Sequence, residues 1–285
     1  FSRLPLPAGS VLALASVGLK RQQAQLQEAF VLLRAVSLER GYVECHARRV
    51  RWDMTAFVLI WLCTVVGAVS CELSAANSAF GSAYFGVSSS LMLSLFSAVI
   101  LSLCYAMAHA CRSLSVMIDE FCCDVVNKKR PREVAHLWNL TQAVLRKAST
   151  SVETCVLALC AVMAFTVPML LMDVSLWGAR IASNPSFVAG LLIVCGILYV
   201  LVVAATISEK CARVPSLVNA VSFGSGTDRA RQRTVDYITS SAAGFYIFGL
   251  RLTMGMVLKL MYVWCIVAFY VMPRVMPGGG TGIDL

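Results

Sequence analysis

The segment FVAGLLIVCGILYVLVVAATI, residues Phe187–Ile207, contains no charged side chain. A helix of about 20 apolar residues is long enough to cross the hydrocarbon core of a bilayer. Its side chains are apolar around almost the whole helix, whereas a helix in a soluble bundle has a distinct polar face. This segment therefore predicts a transmembrane helix.

The remainder of the chain has the composition of a membrane protein. Of its 285 residues, 59% are hydrophobic and 14% are charged, and the mean hydropathy is +0.76. Soluble domains are about half apolar and about a quarter charged. We predict an all-α fold, a polytopic membrane helical bundle with five transmembrane helices and long cytoplasmic helical extensions. The other four predicted spans are Met54–Cys71, Tyr84–Ala110, Thr154–Met172, which contains Pro168, and Leu252–Met272.

The positive charges fall almost entirely on one side of these spans. Of the 24 Lys and Arg residues, 21 precede the first span or lie in the second-to-third and fourth-to-fifth connections. Only Arg180 and Arg274 fall on the other side, and Lys259 lies within the last span. The positive-inside rule places the basic side in the cytoplasm and the C-terminus outside. These cytoplasmic segments account for the net charge of +9, so no nucleic-acid partner is expected.

This topology divides the chain into segments that alternate between membrane and cytoplasm. The sequence begins at Phe1 rather than Met, which indicates a processed chain or a fragment. Residues 4–19 are too short and too proline-rich to form a span alone, and we interpret them as the end of a truncated earlier span. The predicted segments are 1–53, with that span end and a cytoplasmic helix; 54–110, with two spans; 111–153, cytoplasmic; 154–207, with two spans; 208–251, cytoplasmic; 252–272, the last span; and 273–285, an external tail.

The cytoplasmic connections have helical patterns over Leu19–Arg40, Cys111–Asn127 and Arg132–Glu153. These helices could pack into a cytoplasmic domain. They could instead lie on the inner leaflet, where each basic side chain contributes about 1 kcal/mol. A wide apolar stripe favours the packed domain; it consists of Leu137, Trp138, Leu140 and Val144.

Motifs of enzymes and metal sites are absent from the sequence. There is no H-E-x-x-H, phosphate-binding loop, G-x-S-x-G or paired-carboxylate motif, and the three histidines lie far apart. The 12 cysteines form no C-x-x-C pair, so no zinc site or disulfide framework is predicted. We therefore expect no catalytic residues, no metal and no cofactor. The sequon Asn139–Thr141 falls on the cytoplasmic side and should not be glycosylated.

The C-terminal part carries a longer pattern. Small residues begin Ala242–Leu250 (AAGFYIFGL), and the last span contains Met261–Phe269 (MYVWCIVAF). This pattern resembles the end of arthropod gustatory receptors and the related odorant receptors. That signature has Gly-Phe-aromatic after small residues, then Thr-Tyr, five apolar residues and Gln-Phe within the span. Tyr262 and Phe269 match it, while Met261 and Ala268 replace its Thr and Gln.

The resemblance implies a seven-helix receptor with a cytoplasmic N-terminus, of which this chain contains the last five helices. It implies a chemosensory, taste-related channel of the plasma membrane that is gated by a small molecule and is non-selective among cations. The partners it implies are a small tastant-like ligand, the lipid bilayer, and three further copies or related subunits that complete a tetramer around the last span.

The resemblance places Tyr262 and Phe269 in the signature of the pore helix, with Ala268 at the position of its Gln. Lys259 and Ile266 share a helical face with Tyr262 and are the further pore candidates. Ala268 removes the amide of the family's signature Gln. Lys259, at the middle of a span, would raise the barrier for cations unless it faces the packing or snorkels to the headgroups.

The ligand pocket is expected in the outer half of the bundle, where aromatic walls and a few hydroxyls suit a small, weakly polar molecule. Ordinary helix packing is the alternative reading of the same residues. The candidates are Ser70, Tyr84, Phe85, Ser88, Phe165, Met169 and Phe187.

A transporter or scaffold of unrelated fold is the alternative function. It would show a charged site at mid-membrane or interrupted helices in repeated positions. The sequence has one charge within a span, at Lys259, one prolyl position in a span, Pro168, and no internal repeat.

Overall fold

The computed structural model describes residues 43–76, 83–127, 131–177, 185–221 and 228–275. Nearly all of this backbone is helical, which confirms the predicted all-α fold. The helices are α1 (Val43–Ala76), α2 (Ala83–Asn127), α3 (Pro131–Trp177), α4 (Pro185–Ala220), α5 (Asp228–Ser240) and α6 (Met254–Val275). Between α5 and α6 lies a short antiparallel hairpin of β1 (Tyr246–Ile247) and β2 (Leu250–Arg251).

Among the described residues, three helices are long and apolar enough to cross a membrane. Their apolar helical segments are Ser94–Val126 in α2, Glu133–Val174 in α3 and Phe187–Ala220 in α4. Such segments are consistent with a membrane-embedded protein. The predicted first and last spans lie in α1 and α6, and as membrane crossings they stay predictions, as does the side on which each end lies.

The predicted helical extensions are continuous with their spans. Cys111–Asn127 belongs to the same helix as the second predicted span, and Arg132–Glu153 leads without interruption into the third. The last helix begins at Met254 rather than at the predicted Leu252, because the amide of Leu252 donates to the carbonyl of Phe245 at 2.8 Å. The predictions for residues 4–19, for Leu19–Arg40 and for the tail beyond residue 275 lie outside the described residues.

The chain divides into two units, each with its own core. The first, here called the span unit, comprises Arg51–Ala106, Leu159–Leu201 and the chain from Gly255 onward. The second, here called the extension unit, comprises Met107–Ala158 and Val202–Met254, together with the chain up to Val50.

In the span unit, α1 packs against α2 and α4 through aromatic rings. Phe57 lies edge-on to Tyr105, with ring centroids 6.3 Å apart, and to Tyr199 at 6.2 Å. The Tyr199 hydroxyl donates to Asp53 Oδ1 at 2.9 Å. At Gly190 of α4, an added Cβ would lie 2.8 Å from the side chain of Leu170. The absence of a side chain at Gly190 therefore lets α3 and α4 approach closely.

The extension unit buries the face of α3 that carries Val134, Trp138 and Leu145. This burial selects a packed helical unit over helices that lie singly on a membrane surface. The predicted stripe was wrong in one member, because Leu140 is 52% exposed. Thr141 is buried in its place, since the rotation of α3 is set by the helices around it.

Candidate functional site: the junction before the last helix

The hairpin is the last structure before α6, and its turn is tight. Tyr246 pairs with Arg251 and Ile247 with Leu250, which leaves Phe248 and Gly249 as the two turn residues. Their φ angles are +50° and +76°, the pattern of a type I′ turn, whose twist matches that of the flanking strands. Glycine adopts this backbone without strain, whereas phenylalanine rarely does.

Ser208 of α4 fixes the base of the hairpin with two of its polar groups. Its Oγ accepts from the amide of the fully buried Phe245 at 3.0 Å. Its carbonyl accepts from a terminal guanidinium nitrogen of Arg251 at 2.9 Å. A Cβ at Gly244 would lie 2.7 Å from Arg251 Nε, so the Arg251 side chain reaches Ser208 across a position that has no side chain.

Glu153 of α3 holds the turn itself. Its Oε1 accepts from the amide of Phe248 at 3.2 Å. The hairpin is thus bonded to α4 at its base and to α3 at its tip. We call this set of residues, Glu153, Ser208, Phe245, Phe248 and Arg251, the hairpin junction.

The end of α5, which feeds the hairpin, is bonded to α3 by a second group of contacts. The indole of Trp138 donates to Ser241 Oγ at 2.8 Å, and the amide of Gln142 donates to the Ser241 carbonyl at 2.9 Å. The hydroxyl of Tyr237 donates to Asn139 Oδ1. The end of α5 and the tip of the hairpin are therefore bonded to the same helix, α3.

An ion pair joins α2 and α4 within the extension unit. Lys210 Nζ of α4 lies 2.5 Å from Asp119 Oδ2 of α2. Both side chains are partly exposed to solvent, so the pair adds orientation more than stability. Together the hydrogen bonds give the chain before α6 a fixed position on α3 and α4 within the extension unit.

The predicted pore residues lie on α6, and those with described side chains are exposed on the surface of the single chain. Phe269 is 77% exposed and Tyr262 is 67% exposed, and Ile266 and Lys259 are exposed as well. Their spacing places Lys259, Tyr262, Ile266 and Phe269 on one face of the helix. Ala268 lies in α6, and its side chain is outside the described part.

The pocket candidates are spread over four helices. Phe165 of α3 is 75% exposed, Met169 is exposed, and Phe187 at the start of α4 is half-buried. Ser70 of α1 is exposed, and its hydroxyl donates to the Val66 carbonyl at 2.8 Å. The remaining three lie in α2, and their side chains are outside the described part: Tyr84, Phe85 and Ser88. Their assignment to a ligand pocket stays a prediction.

The hairpin junction was not anticipated from the sequence as a site. Glu153 and Ser208 are the polar residues that border the third and fourth predicted spans on the basic side. As residues at the ends of predicted spans, they did not indicate that both bond to the same hairpin. The sequence feature that could have linked them is their position, because both lie at the same predicted membrane level.

Comparison of the sequence with models of known protein families gives no match, and a search of curated proteins finds no related sequence.

Proposed function

We propose that this chain forms the channel-bearing part of a gustatory-receptor-like chemosensory receptor, a small-molecule-gated, non-selective cation channel of the plasma membrane. It is not an enzyme in this proposal. Its C-terminus faces the outside, and its ligand binds among the outer halves of the helices. A tetramer of this chain, or of this chain with related subunits, surrounds the pore.

The exposed face of α6 is the observation that carries the proposal. Along this 22-residue helix, Lys259, Tyr262, Ile266 and Phe269 are all uncovered in the single chain. By contrast, α4 has buried residues along its predicted span, such as Ile193, Ile197 and Val200, whereas Val257 is the single buried residue among the described side chains of α6. A helix with so little cover from its own chain suits a position at the centre of an assembly, where it packs on copies of itself and lines a water-filled path.

The hairpin junction supports the same function, because a channel needs a fixed reference for its pore helix. In this proposal the extension unit holds the start of α6, while the ligand acts on the outer halves of the spans. Polar junction contacts at one end of a helix and sparse contacts along the remainder allow that helix to move about a fixed point.

Photo-crosslinking tests the assembly directly. A benzophenone amino acid replaces Tyr262 in the purified protein in phosphatidylcholine vesicles, and the matched control carries it at Leu59, an exposed apolar residue of α1. We expect protein–protein adducts up to a tetramer from position 262 and few from position 59. Equal adduct patterns at both positions, or lipid adducts alone at 262, would contradict a central α6.

The side of the C-terminus is the second test. An epitope attached after Leu285 should be stained on intact, unpermeabilised cells that carry the protein at their surface. Staining only after permeabilisation would contradict the inverted receptor topology and favour an unrelated transporter or scaffold.

A further inference from the structure

The hairpin turn exposes two bulky apolar side chains. Phe248 is 59% exposed and Leu250 is 62% exposed. Phe248 also has a φ of +50°, a backbone conformation that costs free energy for a residue with a side chain. Asn or Gly would fit this turn position without that cost. Most of the Phe248 side chain is not covered by its own chain, so packing within the single chain does not offset the backbone strain. Contact with a partner outside the chain would offset it.

The bonded neighbours of the turn place it at one level along the predicted spans. Glu153, which accepts from the Phe248 amide, immediately precedes the predicted span Thr154–Met172. Ser208, which accepts from the Phe245 amide, immediately follows the predicted span Phe187–Ile207. The chain then enters α6 at Met254. Three predicted spans therefore meet the basic side of the membrane around this turn.

We propose that Phe248 and Leu250 form a lipid-contact surface that inserts into the cytoplasmic leaflet, at the boundary between the headgroups and the acyl chains. The partner is a glycerophospholipid. Aromatic and leucine side chains are favourable at this depth. On α3, the exposed Arg146 and Lys147 lie about two turns to the cytoplasmic side of Glu153, where their charges suit the phosphates of anionic headgroups.

With this surface in lipid, the hairpin is held from two sides. Its backbone is bonded to α3 and α4 through Glu153 and Ser208, and its apolar tip is held in lipid. The depth at which α6 starts is thereby set by both the protein and the bilayer. The inference rests on the membrane insertion of the proposed function, but it does not require that the protein conduct ions.

Photo-crosslinking at the hairpin tests the contact. The benzophenone amino acid replaces Phe248 in the whole protein, in vesicles of phosphatidylcholine with a minor fraction of phosphatidylserine. Leu140 is the matched control, because it is exposed to a similar degree but lies about 20 Å from Glu153 along the helix. Mass spectrometry should find phospholipid adducts at position 248 and few at position 140. Equal lipid yields at the two positions, or adducts of 248 with a second copy of the chain, would overturn the proposal.

A substitution series separates lipid contact from folding. With the probe at Leu250, Phe248→Asn should lower the lipid-adduct yield several-fold, although Asn accommodates the positive φ and keeps the turn. The matched Phe248→Trp variant should retain the yield, because tryptophan also favours the interface. Unchanged yield in Phe248→Asn would overturn the role of Phe248.

The outcomes also distinguish this inference from the channel proposal. Lipid adducts at 248 without tetramer adducts at Tyr262 would contradict the central pore helix and leave the lipid contact standing. Tetramer adducts at 262 without lipid adducts at 248 would do the reverse.

Discussion

The indole nitrogen of Trp138 and the hydroxyl of Ser241 lie 2.8 Å apart, although 103 residues separate them in the sequence. The indole donates, and the Ser241 hydroxyl in turn donates to the Ile238 carbonyl at 2.6 Å. The Trp138 ring also packs on Phe121 of α2, with ring centroids 5.1 Å apart. One side chain of α3 thus joins α2 to the end of α5.

Two variants of Trp138 should separate its hydrogen bond from its packing. Trp138→Phe removes the donor and should lower the free energy of unfolding by about 0.5–1.5 kcal/mol. Trp138→Ala also empties a buried ring site and should cost about 3–5 kcal/mol. Thermal unfolding in detergent measures both, with Trp52→Phe at an exposed position as control. Equal losses in the two Trp138 variants would mean that packing contributes little.

Gly244→Ala should displace Arg251 from Ser208. The new Cβ would lie 2.7 Å from Arg251 Nε, and the guanidinium would have to leave the Ser208 carbonyl. We expect a loss of about 1–3 kcal/mol in the same unfolding measurement. Gly249→Ala is the comparison, because nothing lies within 4 Å of its Cβ and only backbone strain at a φ of +76° remains. Arg251→Ala should make Gly244→Ala harmless; a loss that persists there would contradict the clash.

Phe248→Asn should raise the thermal stability of the protein in detergent, where no bilayer contacts the apolar tip of the hairpin. Asn relieves the positive φ of this turn position, and we expect a gain of about 1 kcal/mol. The measurement is the melting temperature in detergent, with Phe248→Ala as control because alanine retains the strain. A similar change in both variants would show that backbone strain at Phe248 is small.

Lys259→Met should increase cation current if Lys259 faces the ion path. A fixed positive charge raises the barrier for cations in a narrow pore, and methionine keeps the apolar stem. Whole-cell current at matched surface expression is the readout, and Lys210→Met, which alters a charge in the extension unit, is the control. Unchanged current in Lys259→Met would place this side chain in helix packing.

Asn139 should carry no glycan when the protein is produced in eukaryotic cells. It lies on α3, and its side-chain oxygen accepts from the hydroxyl of Tyr237; the predicted topology also keeps it in the cytoplasm. Glycosidase treatment should therefore leave the electrophoretic mobility unchanged. An acceptor sequon appended after Leu285 should be modified in the same cells. A mobility shift from Asn139 itself would reverse the predicted sides.

The apolar helices could be predicted because their signal is local. Phe187–Ile207 satisfies the length and composition of a span without reference to any other segment, and α4 contains all of it. The continuation of α2 after its predicted span and of α3 before its predicted span could also be predicted, since helical patterning covers Cys111–Asn127 and Arg132–Glu153.

The buried face of α3 was harder to predict, because it depends on the partner helices. Leu140 was chosen for its apolarity and proved exposed, whereas Thr141 and Ala148 are buried. A small or hydroxyl-bearing residue fits where helices approach closely, and hydropathy alone does not predict that such a residue is buried.

The hairpin escaped prediction for a different reason. Each of its strands has two residues, and the turn has Phe-Gly where Asn-Gly is the usual signal. Its stability comes from Ser208 and Glu153, which lie 37 and 95 residues earlier than the amides they accept from. No local pattern reports contacts of that range.

Those long separations also set an order of events during synthesis. Trp138, Glu153 and Ser208 leave the ribosome well before residues 245–251, so their partners arrive last. Until then the indole of Trp138 lacks the Ser241 hydroxyl that accepts its hydrogen bond. A message that ends prematurely before α5 would yield a chain in which these three residues never meet their partners. Cellular quality control acts on incompletely folded chains, so such a product should be degraded rather than assembled.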